Sequence, residues 1–442
     1  MILSGWGRYP RADCMVHRPR DTHDLSASLA RAEGSVIARG NGRAYGDSAL
    51  NRACTIDMRG FDRILAFDPR AGQVVAEAGV LLADIIRVFL PRGWFPAVTP
   101  GTKFVTVGGA IASDVHGKNH HKEGSFGAFL DWLDVLCPDG VVRRASARQE
   151  SELFAWTVGG MGLTGVIVRA AFRLRPVESG WMRQLTLPAP SLSKAMELFE
   201  QAGDATYSVA WIDCLASGSA EGRSLVMLGE HAELDNLRGK ERQDRWAERS
   251  RRERSVPIDF PALLLNRWSV SAFNRLYYAN GRRRAGETLV DYDSYFYPLD
   301  AVLEWNRIYG RKGFAQFQCV LPLEASEKGL GALLTEIRRS GQGSFLAVLK
   351  RMGAQQSRFS FPMEGYTLAL DFPFRSSTPK LFAELERIAV DHGGRFYLAK
   401  DSQLTPELLR QSDPRTQPFT AMREAGGAAA RFQSLQSERL AL

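Results

Sequence analysis

Two textures of apolar and polar positions divide the chain near Pro176. Up to that point short apolar or β-branched runs alternate with glycine-rich turns. Ser35-Val36-Ile37-Ala38 leads into RGNGRAYGDS, and Val74-Val75-Ala76-Glu77-Ala78 leads into Gly79. One helix is predicted at Leu81 to Leu90, because Leu82, Ile85, Ile86 and Phe89 fall on one face. Beyond Pro176 the strands lengthen and two amphipathic helices stand out. Leu330, Leu333, Leu334 and Ile337 form a stripe that stops before Gly341; Leu381, Phe382, Leu385, Ile388 and Ala389 form another before Gly393-Gly394. Strands at Phe314 to Val320 and Leu368 to Phe372 precede these helices. The pattern predicts an α+β layer with helices packed on one face of a sheet.

The segment FAQFQCVL alternates with period two. Ala315, Phe317, Cys319 and Leu321 share one face, and Gln316 and Gln318 the other. The glutamine face fits either a polar pocket or an ordinary solvated sheet surface.

A chain of 442 residues that is 45% apolar can fill two cores. No apolar run approaches the roughly 18 residues that span a bilayer, and the opening MILSGWGRYPRADC has no apolar signal-peptide core. A soluble protein made in the cytoplasm is expected. Five scattered cysteines without CxxC spacing predict buried thiols, with neither a disulfide framework nor a metal site. The formal charge of +8 is compatible with nucleic acid, an anionic membrane or an acidic substrate. No aromatic-basic platform or recognition helix supports nucleic acid. Much of the charge sits in Arg238 to Arg254 and in Arg282-Arg283-Arg284, on either side of Phe260-Pro261-Ala262-Leu263-Leu264-Leu265 and Trp268.

Candidate chemistry lies in three glycine-rich loops. The first is Arg39 to Ser48; a loop of this kind brings backbone N–H groups together and lets a phosphate approach closely. Its spacing matches neither the dinucleotide GxGxxG nor the P-loop, and alone it reads as a turn. The second runs from Thr99 through PGTKFVTVGGAIA to SDVHGKNHH, and the third is VGGMGLTGVI from Val158. Three such loops imply a large ligand with phosphates and a planar ring.

RGNGRAYGD, the PGT…VTVGGAIA…HGKNHH run, GSFG at Gly124 to Gly127 and GLTGVI resemble the FAD domain of the vanillyl-alcohol-oxidase (PCMH-type) superfamily. SVAWID, EWNRIYG, GFAQFQCV, LDFP and GGRFYLAKDS extend the likeness over nearly the whole chain, toward the oxidase subunits of polyprenylphosphoryl-ribose 2-epimerases. The resemblance implies a two-domain α+β fold: an FAD domain at 1–178, an inserted substrate domain at 179–394 built on an antiparallel sheet with helices, and a segment at 395–442 returning to the FAD domain. It implies that Arg39, Gly40, Asn41, Gly42, Arg43, Ala44, Tyr45, Gly46, Asp47 and Ser48 hold the pyrophosphate. Gly101, Thr102, Thr106, Gly108, Gly109, Ser113 and His116 are expected along the flavin, with Gly117 and Tyr397 also on the cofactor side. Gly162 and Val166 are expected near the adenine. Lys118, Trp211, Gln316, Gln318, Lys350 and Lys400 match substrate-pocket positions. The implied reaction is oxidation of the C2 hydroxyl of a polyprenylphosphoryl ribose to a keto sugar, or, as an alternative, oxidation of a soluble sugar alcohol or aldonolactone. A separate NAD(P)H-dependent short-chain reductase is the implied partner for epimerisation.

Two departures from the family pattern matter. Arg43 stands where members that attach FAD covalently place a histidine, so noncovalent FAD is expected. Ala369 stands where other members carry a pocket cysteine. Lys400 is expected to stabilise charge on the reduced flavin, with Tyr45 and His116 as competing proton acceptors. His116 reads equally well as a structural residue. His120, His121 and Lys118 suit an imidazole and ammonium edge facing an anionic substrate better than a metal site. The basic run reads as a solvated segment by composition; beside Leu263 to Leu265 and Trp268 it also suits peripheral contact with the cytoplasmic or periplasmic face of an inner membrane.

Overall fold

The computed structural model describes residues 1–247, 254–261, 265–344 and 346–442. Its first part is organised by the strand Val166–Pro176, whose near-continuous apolar run is covered on both faces. It pairs antiparallel with Leu130–Leu136, Gln73–Glu77 and Trp94–Pro96, and Val142–Ser146 and Ile64–Asp68 complete a six-stranded sheet. Alternation along the spine sends Ile167, Ala170 and Phe172 into a core with the helix Leu82–Phe89 and the short helix Val107–Ala112. Val166 and Val168 face a second core with Leu25, Ile56 and Phe432. A three-stranded parallel sheet, Val16–His17, Thr55–Asp57 and Ile37–Arg39, delivers the chain into the first glycine loop.

The second part is an eight-stranded antiparallel sheet. Its order is Gly286–Asp291, Trp181–Ala189, Ser224–His231, Tyr207–Ile212, Ala347–Met352, Gly365–Pro373, Phe314–Pro322 and Arg395–Phe396. Helices Leu192–Gln201, Leu323–Ser340 and Thr378–Asp391 cover one face. Both apolar stripes read from the sequence lie in that interface, against Ala315, Phe317, Cys319, Leu368, Leu370 and Phe372. The first of those two helices ends at Gly341, whose φ of 68° is a left-handed cap. The last strand, Arg395–Phe396, carries the sheet just past the expected boundary at 394.

The chain then returns to its beginning. Arg431 donates to the carbonyls of Ala32 and Gly34, and Phe432 bridges to Val36. Arg439 donates to Asp47 at 2.8 and 3.1 Å and to Asp401 at 2.8 Å. It thereby clamps the first glycine loop to the segment that carries Lys400.

Residues 248–253 of the basic run and 262–264 of the apolar stretch lie outside the described residues. The described part of the run is not simply solvated. Trp181 Nε1 donates to the Asp244 carbonyl and Gly180 N to that of Arg245, while Trp246 packs beside the Phe95 and Tyr295 cluster. Further on, the helix Arg267–Arg283 leaves Trp268 80% and Leu276 72% exposed.

Candidate functional site

The three glycine loops converge on a cavity of about 320 Å³ between the two sheets. Backbone packs so closely at two glycines of the first two loops that side chains are excluded there. A Cβ on Gly40 would lie 2.2 Å from Thr106 Oγ1, and one on Gly108 would lie 2.8 Å from the Ala78 Cβ. Asn41 Nδ2 donates to the Phe104 carbonyl at 2.9 Å, and Thr106 Oγ1 caps Gly109 N at 3.2 Å. At Gly101 a Cβ would meet nothing within 4 Å. Met161, Gly162, Gly165 and Ile167 bring the third loop to the same cavity. Arg43 stacks its guanidinium 4.1 Å from the Trp6 ring, and its buried Nε has no hydrogen-bond partner among the described residues. Backbone-lined walls, a buried cation and an unsatisfied donor fit a bound dinucleotide.

The opposite wall is the face of the large sheet turned away from its three covering helices. Gln316 pairs with Asp371 in register, Gln318 and Val348 both with Ala369, and Lys350 with Thr367. Period two therefore turns Gln316, Gln318, Val348, Lys350, Ala369 and Asp371 toward the cavity. The glutamine face is thus a polar pocket wall. Gln318 Nε2 lies 3.1 Å from His116 Nε2 and donates to Thr367 Oγ1 at 3.2 Å. Gln316 Nε2 donates to Asp371 Oδ1, and Tyr309 Oη donates to Asp371 Oδ2 at 3.5 Å. Lys400 Nζ sits 3.5 Å from the centre of the Tyr45 ring. Tyr45 N in turn donates to the Ala399 carbonyl, and Tyr397 Oη donates to that of Ser113 at 3.0 Å.

Burial sets the protonation of this wall. It pushes Lys350 down to about 8. It also lowers Lys400, against the opposing pull of Asp371, and raises the Asp371 carboxyl. His116 is held well below the usual imidazole value by burial and then by Lys350, His120 and Lys400, so it stays neutral. Burial drives the Tyr45 phenol well above its usual range.

Of the residues singled out in the sequence, Gly40 to Tyr45, Ser48, Gly101, Thr102, Thr106, Gly108, Gly109, Ser113, His116, Gly162, Gln316, Gln318, Lys350, Tyr397 and Lys400 line the cavity. The others are placed elsewhere. Arg39 turns beneath its loop to donate to the Ser4 carbonyl at 2.7 Å. Gly46 packs against the Asp401 carbonyl, and Asp47 pairs with Arg439. Gly117 abuts Thr99 and Asn119, and Val166 lies in the core behind the third loop, where Ile167 faces the cavity instead. Lys118 Nζ donates to the Tyr295 carbonyl, 4.1 Å from that residue's ring, and burial lowers it to about 7. Trp211 occupies the pocket-side face of the sheet but packs on Tyr277. The expected imidazole edge is not formed. His120 bonds Gln355 and Gly353, and His121 bonds the Ala205 carbonyl and Ser208. Sequence reasoning missed Trp6, Asp300, Trp305 and Asp371, which also line the cavity. Among the described residues no group of three or more His, Cys, Asp or Glu is placed to hold a metal, and no helix is long and apolar enough to cross a membrane.

Comparison with known proteins agrees with this geometry. Residues 14–146 match the FAD binding domain family. The chain is 36% identical over 452 residues to decaprenylphosphoryl-beta-D-ribose oxidase of Mycolicibacterium smegmatis, covering 100% of this chain and 97% of that one. It is 32% identical over 374 residues to an uncharacterized protein in the mprA 5'region of Streptomyces coelicolor, covering 82% of this chain and 100% of that one. L-gulonolactone oxidase of Bos taurus is 27% identical over 178 residues, 39% of this chain and 40% of its own length. Fold, site and likeness define an FAD-dependent oxidoreductase acting on CH–OH groups. Within that class, the chain belongs to the family of decaprenylphosphoryl-beta-D-ribose oxidase.

The first glycine loop offers no imidazole to the flavin, since no histidine lies between His23 and His116. Acid denaturation is therefore expected to release intact FAD into the supernatant. Flavin retained in the protein precipitate would contradict this.

Proposed function

We propose that this chain oxidises the C2 hydroxyl of a polyprenylphosphoryl-β-D-ribose to the 2-keto sugar, the first half of epimerisation to the arabinose form. The observation that carries this reading is the full-length likeness to an oxidase of that substrate type. It is supported by a cavity that sets two partly buried ammonium groups, Lys350 on the sheet and Lys400 on the turn after its last strand, beside hydrogen-bonding glutamines. That is an environment suited to a phosphorylated sugar. Residues 1–178 and 395–442 are read as the cofactor-binding part, and 179–394 as the substrate part.

Bound FAD supplies the hydride acceptor. The backbone of Gly40 to Tyr45 and the cationic Arg43 are assigned to its phosphates; Gly101, Thr106, Gly108, Gly109, Ser113 and Tyr397 to its ring; Gly162 to its adenine side. Gln316, Gln318 and Lys350 are assigned to the sugar and its phosphate, and Lys400 to the charge that develops during oxidation. His116, kept neutral by its surroundings, orients Gln318.

Net epimerisation requires a second enzyme to reduce the keto sugar from the opposite face, and an NAD(P)H-dependent short-chain reductase is the proposed partner. Anaerobic mixing with polyprenylphosphoryl pentoses tests the substrate reading. The ribose form is expected to bleach the flavin absorbance. Bleaching only by soluble aldonolactones or sugar alcohols would replace it with the alternative activity.

Peripheral contact with an anionic membrane is the proposed means of reaching a prenylated substrate, through the exposed Trp268 and Leu276 flanked by Arg275, Arg282, Arg283 and Arg284. Trp268→Glu combined with Leu276→Glu is expected to weaken sedimentation with anionic liposomes while sparing turnover of a short-chain, detergent-dispersed substrate. Equal loss of both would give this helix a folding role instead.

A further inference from the structure

We propose that Asp371 accepts the proton of the substrate hydroxyl, with Lys400 balancing its charge. The inference rests on the alcohol-oxidase reading and adds a residue that no glycine or lysine motif marks. Oxidation breaks the hydroxyl O–H bond as well as the carbon's C–H bond. The C–H hydrogen leaves with its electron pair to the bound cofactor, the O–H electron pair closes the C=O bond, and the proton needs an acceptor.

The cavity wall constrains which group that is. Protonated His116 would be a third cation beside Lys350 and Lys400 in a desolvated space, and burial and these neighbours already oppose it. Tyr45 lies under the Lys400 ammonium, and its phenolate is too costly at neutral pH. A carboxylate becomes neutral on taking the proton, which a buried site favours. Among the described residues two carboxylates line the cavity. Asp300 is engaged by the second glycine loop, accepting from Lys103 N at 2.8 Å. Asp371 is 1% exposed and stands mid-sheet. Its Oδ1 is oriented by Gln316 Nε2 and its Oδ2 lies 3.5 Å from Tyr309 Oη. The buried Gln316 Oε1 beside it has no hydrogen-bond partner among the described residues.

Gln316, Lys400 and Tyr309 bear directly on its titration, and Tyr45, Lys350, His116 and Asp300 line the same cavity. Desolvation raises Asp371 and lowers Lys400, bringing both toward neutrality. The rate should therefore climb with pH as Asp371 ionises.

The test is anaerobic flavin reduction by a short-chain polyprenylphosphoryl ribose across pH, in the FAD-loaded wild type, Asp371→Asn and Asp371→Glu. The Asn variant is expected to hold FAD and bind the sugar within a few-fold. Its limiting reduction rate should fall by roughly 10²-fold or more, with the acid limb gone. The Glu variant should recover part of the rate with a displaced limb. The Asn variant's flavin midpoint potential, measured without substrate, should rise because a negative charge has left the wall. Reduction of the Asn variant at the wild-type rate with its acid limb intact overturns the proposal. So does loss of FAD from both variants, which would give the carboxylate a structural task. Wild-type flavin that the prenylated sugar leaves unbleached overturns the substrate reading alone, and the same comparison then runs on whichever soluble sugar alcohol or lactone does bleach it.

Discussion

Lys400→Ala is expected to keep its FAD yet be reduced by substrate roughly 10²-fold more slowly, with a lower flavin potential. The proposed cofactor contacts lie mainly on the three glycine loops, and Lys400 meets the first of them at the Tyr45 ring. Lys400 sits on the cavity wall, its ammonium buried against the Tyr45 ring. Oxidation of the sugar places negative charge in this cavity. A cation in a low-dielectric space stabilises that charge far more than it stabilises the neutral starting state. A factor of about 10² is the scale for losing one preorganised contact of this kind. Stopped-flow reduction and a dye-coupled redox titration read the two effects separately. Wild-type rate and potential in a flavin-bound variant would remove Lys400 from the chemistry.

Gly42→Val is expected to fold but to purify without flavin. Gly42 has φ of +62°, a region that a β-branched residue adopts only with strain. An added Cβ would also lie 2.4 Å from Arg39 Nη2, which is itself held by the Ser4 carbonyl at 2.7 Å. The Arg39 head group can swing aside only by giving up that bond, and relief of the φ strain is expected to draw the loop and its backbone N–H groups from the cavity. A penalty of about 2 kcal/mol alone weakens cofactor binding ~30-fold. The sheets pack elsewhere, so circular dichroism should remain native-like while the visible flavin bands vanish. Normal flavin content would refute the phosphate-cradle assignment of this loop.

What could be read from the sequence was what depends on local pattern. The stripe Leu330, Leu333, Leu334 and Ile337, the cap at Gly341 and the alternation that puts Gln316 and Gln318 on one face follow from spacing within one element, whereas the choice between a pocket and a solvated surface for that face needed the tertiary fold. The glycine loops were visible because close backbone approach leaves a compositional trace. Asp371 was hidden in the apolar run LALDFP. Its exposure to the cavity depends on two neighbouring strands in register. Lys118 and Trp211 failed to reach the wall because Tyr295 and Tyr277 capture them across separations no local window contains. His120 and His121 were likewise taken up by Gln355 and Ala205. Trp6 and Trp305 are brought together from opposite parts of the chain, 5.8 Å apart at their ring centres.

The Arg439 clamp has a consequence for biosynthesis. Residues 39–48 leave the ribosome early, but the wall that faces them, the Lys400 segment and the arginine that ties both to Asp47 and Asp401 are translated hundreds of codons later. A nascent chain therefore exposes its glycine loops without a closed cavity in which to retain a dinucleotide. Flavin capture is expected after translation, and a shortage of FAD in the producing cell should accumulate apoprotein rather than arrested fragments.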